Sequence, residues 1–386
     1  GGGVQVSGIE RLRDEVVTES TRRSRSLLGA ADERARALGT LEAIFSTSGD
    51  GTLPDTMGRF WNAWNDLGQD PENPAARRAV LSQARNVADT VNQMGNGALR
   101  LQEQSVLDLR AGVDDVNSLT KELGELNQAV RIGTSTGVPD LAAQDRRDVV
   151  LDQLAELAPI AIKRQTDGTA TVSLDGMNLV QTNDVTMLSV DESTGSPRIL
   201  FGDTDVAMRT TNGRLGARLD VAAKQIPATL ATLDAFAQQL VDAVNTQHAL
   251  GSDQDGNAGG DFFDATGVTA TSLSLAITNG RQLAAAAAGQ PAGDSQNAVA
   301  MAILREPIDR TAVDLLSNLG STVQSALRDQ DRQSAVVTSL VGLEASRSAV
   351  NMDEELTKMI AHQQSYGAAA KLLTTAEQMM QTLLAI

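Results

Sequence analysis

The feature that most constrains this chain is a run of apolar residues at helical spacing that does not stop where a globular helix would. Val80, Ala84, Val87, Val91 and Met94 continue into Leu99, Val106, Leu109, Val113, Val116, Leu119, Leu123 and Leu126, the three-and-four spacing that keeps side chains on one helical face. At about 1.5 Å per residue, roughly fifty such residues span roughly 80 Å. A helix of that length needs neighbours running alongside it. Composition agrees: the chain is 41% hydrophobic but only 2% aromatic, which suits thin helical bundles better than an aromatic-lined substrate pocket.

Helical periodicity covers 1–158, read as the N-terminal part of a helical rod. It includes a helix ending near Phe45 and a short one carrying Phe60, Trp61, Trp64 and Leu67 after Pro54. From Pro159 the period changes to short runs separated by Asp167-Gly168, Asp175-Gly176, Asn183-Asp184 and Thr194-Gly195, which predicts an inserted antiparallel β domain over 159–213. Helix returns over 214–250, packing on the rod, with a kink expected at Pro227 and a left-handed Gly251 at its end. The acidic, Gly-rich stretch 251–294 is expected to attach to the β domain, with a weak strand at 272–277. Residues 295–349 form the C-terminal part of the rod, and 350–386 a last, coiled-coil-like helix. The predicted fold class is mainly α with an inserted β domain: an elongated helical bundle made by both ends of the chain plus a small antiparallel β unit.

Asn351 with Glu354 gives that last helix a capping-box start. Met352, Leu356, Met359, Gln363, Tyr366, Ala370, Leu373, Glu377, Met380 and Leu384 then keep a four-three spacing. This is either a coiled-coil seam with two polar register positions or an ordinary amphipathic core helix.

Catalytic and nucleic-acid functions find little support. The formal charge of -17 repels phosphate backbones, and a chain without Cys has no thiol chemistry or disulfide. No run of 18 apolar residues and no secretory signal is present, so membrane insertion is not expected; the Gly1 start without Met reads as a processed or truncated end. His248 and His362 stand apart, without partners at metal-ligand spacing, and are read as structural; His248 lies near a helix end that favours positive charge. Gly95-Asn96-Gly97 lacks the third glycine of a dinucleotide fingerprint and sits in helix. Arg146 and Arg147, between Asp145 and Asp148, read as a solvated or ion-paired helix start. Phe60, Trp61 and Trp64 read as packing.

One loop resembles a ligand site. Asp253, Asp255, Asn257, Asp261 and Asp264 place oxygens at positions 1, 3, 5, 9 and 12 of a calcium loop, but Ala258 replaces the glycine of position 6 and Asp264 the usual Glu. A structural loop pinned by Phe262 and Phe263 is the competing reading.

The segment from Val350-Asn351-Met352-Asp353-Glu354-Glu355-Leu356 through His362-Gln363-Gln364-Ser365-Tyr366 to Leu384 resembles the C-terminal motif of flagellar hook, rod and hook-associated proteins. The stretches Gly3 to Arg11, Asn73-Pro74-Ala75-Ala76-Arg77-Arg78-Ala79-Val80-Leu81 and Asp255 to Phe263 are similar more narrowly to the hook-associated protein 1 family, the first junction between hook and filament. Family members begin with a further amphipathic helix, about forty residues long, that pairs with the C-terminal helix in the innermost tube, so this chain resembles an N-terminally truncated member.

The resemblance implies a structural, non-enzymatic component of the bacterial flagellum without cofactors. It would polymerise as a homo-oligomer, with Met352, Leu356, Met359, Gln363, Tyr366, Leu373, Met380 and Leu384 as the assembly interface of the inner core. Implied partners are the hook protein, the second hook-filament junction protein and a cytoplasmic export chaperone at the C-terminal region. Implied localisation is the hook-filament junction, after secretion by flagellar type III export without a cleavable signal peptide. The alternatives are another axial protein, such as the second junction protein or a flagellin-like subunit, or a calcium-dependent surface or binding protein using 253–264.

Overall fold

A computed structural model describes residues 15–46, 51–204, 206–348 and 352–384, the side chains of 347–348, 352–355 and 382–384 excepted. The Gly3–Arg11 stretch and the Asn351 capping position lie outside the described residues. By contacts the chain divides into a large unit, Arg22–Val336, and a small one, Gly1–Thr21 with Val337–Ile386.

Local chemistry sets the helix ends. Helix α1 spans Glu15–Ser46. Thr52 and Asp55 form a reciprocal capping box at the start of α2 (Leu53–Gln69). Asn73 accepts from the Ala75 amide at 2.9 Å, and Pro74 occupies the first turn of α3 (Pro74–Thr136), whose 63 residues end at left-handed Gly137. At about 1.5 Å per residue α3 is about 95 Å long. Asp140 caps α4 (Leu141–Leu157), so Asp145 to Asp148 lie inside that helix and not at its start. There Arg146 pairs with Glu122 at 2.5 Å on the surface, while Arg147 and Asp148 are buried.

The sheet follows the turn residues, with one shift. Strands β1 (Ala161–Arg164), β2 (Ala170–Leu174), β3 (Met177–Gln181) and β4 (Asp184–Val185) pair antiparallel in sequence order. Val172 lies opposite Val180, and Val180 opposite Val185. A hairpin of β5 (Leu188–Asp191) and β6 (Arg198–Phe201) follows. Asp175 and Gly176 both take positive φ, as a two-residue hairpin turn requires. The β3–β4 turn falls on Thr182 and Asn183, one residue earlier than Asn183-Asp184. Thr182 has φ +58, and its carbonyl accepts from Asn127 Nδ2 at 2.8 Å.

After the sheet come α5 (Gly213–Asp220), a π-helical turn at Val221–Gln225, and α6 (Ile226–Ala249). The kink expected at Pro227 is taken up by that π-turn. Pro227 has no N–H to offer the preceding turn, and the Ala222 and Ala223 carbonyls are instead met by Gln102 Nε2 at 3.3 Å and Ser196 Oγ at 3.5 Å. Gly251 is not left-handed. It begins β7 (Gly251–Ser252), which pairs with β8 (Ala286–Ala287), and a Cβ there would collide with Asn297 and come within 2.8 Å of the Ala286 carbonyl. The chain closes with α7 (Gln296–Ile303), α8 (Arg305–Ser348) and α9 (Met352–Leu384).

Two hydrophobic cores lie along α3. Its first half supplies Val80, Val87, Val91 and Met94 to a core shared with α1, α2, α6, α7 and the start of α8. Its second half supplies Leu109, Val113, Val116 and Leu123 to a core shared with α4 and the strands. The stretch 251–294 belongs wholly to the first, through Phe262, Phe263, Ala270, Leu273, Ile277, Leu283 and Ala285. The expected attachment of this stretch to the β domain is therefore corrected: its apolar residues have found the helices. Nor do 272–277 form a strand. Phe263 makes a single bridge with Leu275, and Asn92 takes both backbone groups of Leu273, at 2.9 and 3.0 Å.

That docking explains Gly95. A Cβ at this position would stand 2.7 Å from the Ala270 carbonyl oxygen, so α3 can receive the loop only where it lacks a side chain. In an exposed helix Gly→Ala gains about 1 kcal/mol. Here Gly95→Ala is expected to destabilise by about 1–3 kcal/mol through overpacking, measured as a lower urea midpoint.

Candidate assembly interface

The aromatic residues singled out in the sequence build the centre of the first core. Phe60 and Trp64 on α2 meet Phe262 at ring separations of 6.0 and 5.7 Å, and all three are buried. Trp61 donates from Nε1 to Asp309 Oδ1 at 2.9 Å, joining α2 to α8.

His248 is buried among them, and the reading of a partial positive charge at a helix end is overturned. The Ala284 amide donates to Nε2 at 3.0 Å, so Nδ1 carries the proton and donates to the Gly260 carbonyl at 2.7 Å. Burial, the largest influence, holds its pKa below the ordinary 6.5, against the opposing pull of the Gly260 hydrogen bond and of Asp253 and Asp261. The neutral ring staples the loop to α6. Because the unfolded chain takes up this proton first, the staple's stabilisation is complete above pH 6.5 and declines as pH falls below it, by at most about 1.4 kcal/mol per pH unit. Urea midpoints measured from pH 7.5 to 5 should fall for the wild type and lose that component in His248→Gln.

The acidic loop spends its oxygens on itself. Asp253 Oδ1 accepts from the amides of Asp255 and Asn257, both at 2.8 Å. Asp255 pairs with Arg281, Asp264 accepts from the Thr266 amide at 2.9 Å, and Asp261 is exposed. Among the described residues no group of three or more His, Asp or Glu side chains could hold a metal ion.

Arg77, within the Asn73 to Leu81 stretch, is almost wholly buried. Its Nε donates to the Pro71 carbonyl at 2.7 Å, and one terminal nitrogen donates to Gly280 and Leu283 at 3.0 and 2.9 Å. It locks the loop onto the start of α3. Buried asparagines act similarly. Asn117 holds both backbone groups of Leu188 at 2.9 and 2.7 Å, Asn127 those of Ala170 at 2.8 and 2.9 Å, and Asn245 the amides of Phe262 and Phe263 and the Phe263 carbonyl, all at 2.9 Å. None was singled out in the sequence; the available signal was an amide at helical spacing within an apolar face.

Helix α9 stands in contrast to this dense interior. Every described side chain from 356 to 381 is exposed, Leu356 by 53%, Tyr366 by 77% and Leu373 by 72%. Met359, Gln363 and Met380 share the stripe and are exposed too, as is His362; the side chains of Met352 and Leu384 lie outside the described residues. The described apolar side chains of the four-three spacing are exposed, which does not fit the reading of an ordinary core helix. In the small unit, Thr18 donates to Glu344 at 2.9 Å, joining the start of α1 to the end of α8.

A family model described as flagellar hook-associated protein FlgK helical domain matches residues 38–263. The chain belongs to this flagellar hook-associated protein family. A second model, flagellar basal body rod FlgEFG protein C-terminal, matches residues 345–386, the segment that contains α9. The flagellar hook-associated protein 1 of Bacillus subtilis is 27% identical, with 98% of this chain and 85% of that protein covered. That of Escherichia coli is 24% identical over 100% of this chain and 90% of its own length. The flagellar hook junction protein FlgK of Burkholderia pseudomallei shares the fold, with a TM-score of 0.75 over 86% of this chain and 100% of its own, at 14% identity. As a FlgK-family member, the chain is a structural component of the flagellum. No helix among its described residues is long and apolar enough to cross a membrane.

Proposed function

We propose that this chain is a hook-filament junction subunit that polymerises through the stripe on α9 and performs no catalysis. The observation that carries the reading is a heptad-spaced apolar helix exposed from 356 to 381, in contrast to the buried cores of the large unit. Such a stripe is satisfied by neighbouring helices of the same kind, and Gln363 and Glu377 within it would fix their register. Segments 1–158 and 295–349 serve as the rod, 214–250 packs on it, 159–213 is the inserted β domain, and 350–386 forms the inner core. The hook protein, the second junction protein and an export chaperone that shields α9 before assembly are the partners this role needs, with type III export as the route out of the cell.

Immunogold labelling of intact flagella, with cells lacking the gene as control, tests the role. A single band at the hook-filament boundary is expected. Label along the whole filament would make the chain a filament subunit instead.

A further inference from the structure

The chain has ten methionines and no cysteine, so any reversible sulfur oxidation falls on thioethers. Their burial is strongly uneven. Met57, Met94, Met208 and Met301 are buried in or beside the cores, whereas Met359 is 51% and Met380 65% exposed, with Met379 and Met187 also on the surface. Met359 and Met380 fall on the same line of α9, with Tyr366 and Leu373 between them at intervals of seven residues. A peroxide reaches these two sulfurs directly in the unassembled chain.

We infer that Met359 and Met380 are an oxidation-sensitive pair whose conversion to sulfoxide by a peroxide blocks assembly through α9. The inference rests on the seam reading above. The thioether lone pair attacks one peroxide oxygen, the S–O bond forms as the O–O bond breaks, and the departing hydroxide takes the proton of the transferred hydroxyl, leaving as water and giving the sulfoxide. Sulfur is oxidised by two electrons and the peroxide is reduced by two. The product places a strongly polar S=O where the stripe requires an apolar layer, a change known to disrupt methionine-rich interfaces and reversible by sulfoxide reduction. Packing of the seam would shield the same sulfurs, so the sensitivity belongs to the free subunit.

The test treats the full chain with hydrogen peroxide and follows each methionine by peptide mass spectrometry. Met359 and Met380 should oxidise at least about tenfold faster than Met57, Met94 and Met301; equal rates would overturn the inference. Treated and untreated chains are then bound to isolated hooks from cells lacking the gene. Treated wild type should bind about tenfold less or weaker still, while M359L/M380L keeps its own untreated level, whatever that level is. Undiminished binding with both sulfoxides present, or an equal loss in M359L/M380L, would overturn it. The variant L356D/L373D separates the two claims. If it fails to bind and oxidised wild type succeeds, the oxidation inference alone falls; if it binds like wild type, the seam reading falls and takes the inference with it.

Discussion

A chain carrying Asp at both Leu356 and Leu373 is expected to fold as the wild type does and to be absent from flagella. Both leucines are more than half exposed in the free subunit, so a charge there meets water and costs the monomer little. In the packed seam each carboxylate would lose that water without gaining a cation. An uncompensated buried charge costs about 3–5 kcal/mol, which is about a hundredfold or more in affinity at each position. Removing 351–386 altogether should have the same outcome and leave the large unit's melting transition unchanged. The checks are a urea melt of the purified variants and immunoblots of sheared flagella. Normal incorporation of either variant would refute the assembly role of α9.

The largest loss of stability is expected at Asn127. Its side chain is fully buried and satisfies three backbone groups of the sheet: the Ala170 amide and the carbonyls of Ala170 and Thr182. Asn127→Leu keeps the volume and orphans all three. Unpaired buried groups cost about 1–3 kcal/mol each, so with partial relaxation the variant should lose about 3 kcal/mol or more. Asn127→Asp is an instructive companion. A carboxylate still accepts from the Ala170 amide but cannot donate to either carbonyl, and it adds a buried charge, so it should be no more stable than the leucine variant. Chemical denaturation of the β unit, followed by amide exchange at Ala170, checks both.

The helices were legible because their signals are local. The apolar spacing from Val80 to Leu126 declares α3, and Pro54 marks the first turn of α2. Asp175-Gly176 declared its hairpin for the same reason. What could not be read is long-range. Nothing in the spacing of Phe262, Leu273 and Leu283 says whether they cover a sheet or a helix bundle, and the wrong surface was expected. Asn117 and Asn127 look like polar lapses in an apolar stripe until the strands they clamp are in view, and Arg77 looks like one more surface cation. The four-three spacing of α9 was plain in the sequence, but only the structure shows the stripe from 356 to 381 standing bare.

One consequence of α3 concerns force. The two cores of the large unit are joined by one continuous helix, with no proline between Met94 and Leu109 and with its two glycines there, Gly95 and Gly97, packed closely against Ala270 and Ile44. A flexible linker would let one end yield before the other felt a load. Here torque applied to the helical core passes straight into the core beneath the sheet, and the pair turns as a single stiff lever, a useful property for a part seated in a rotating shaft.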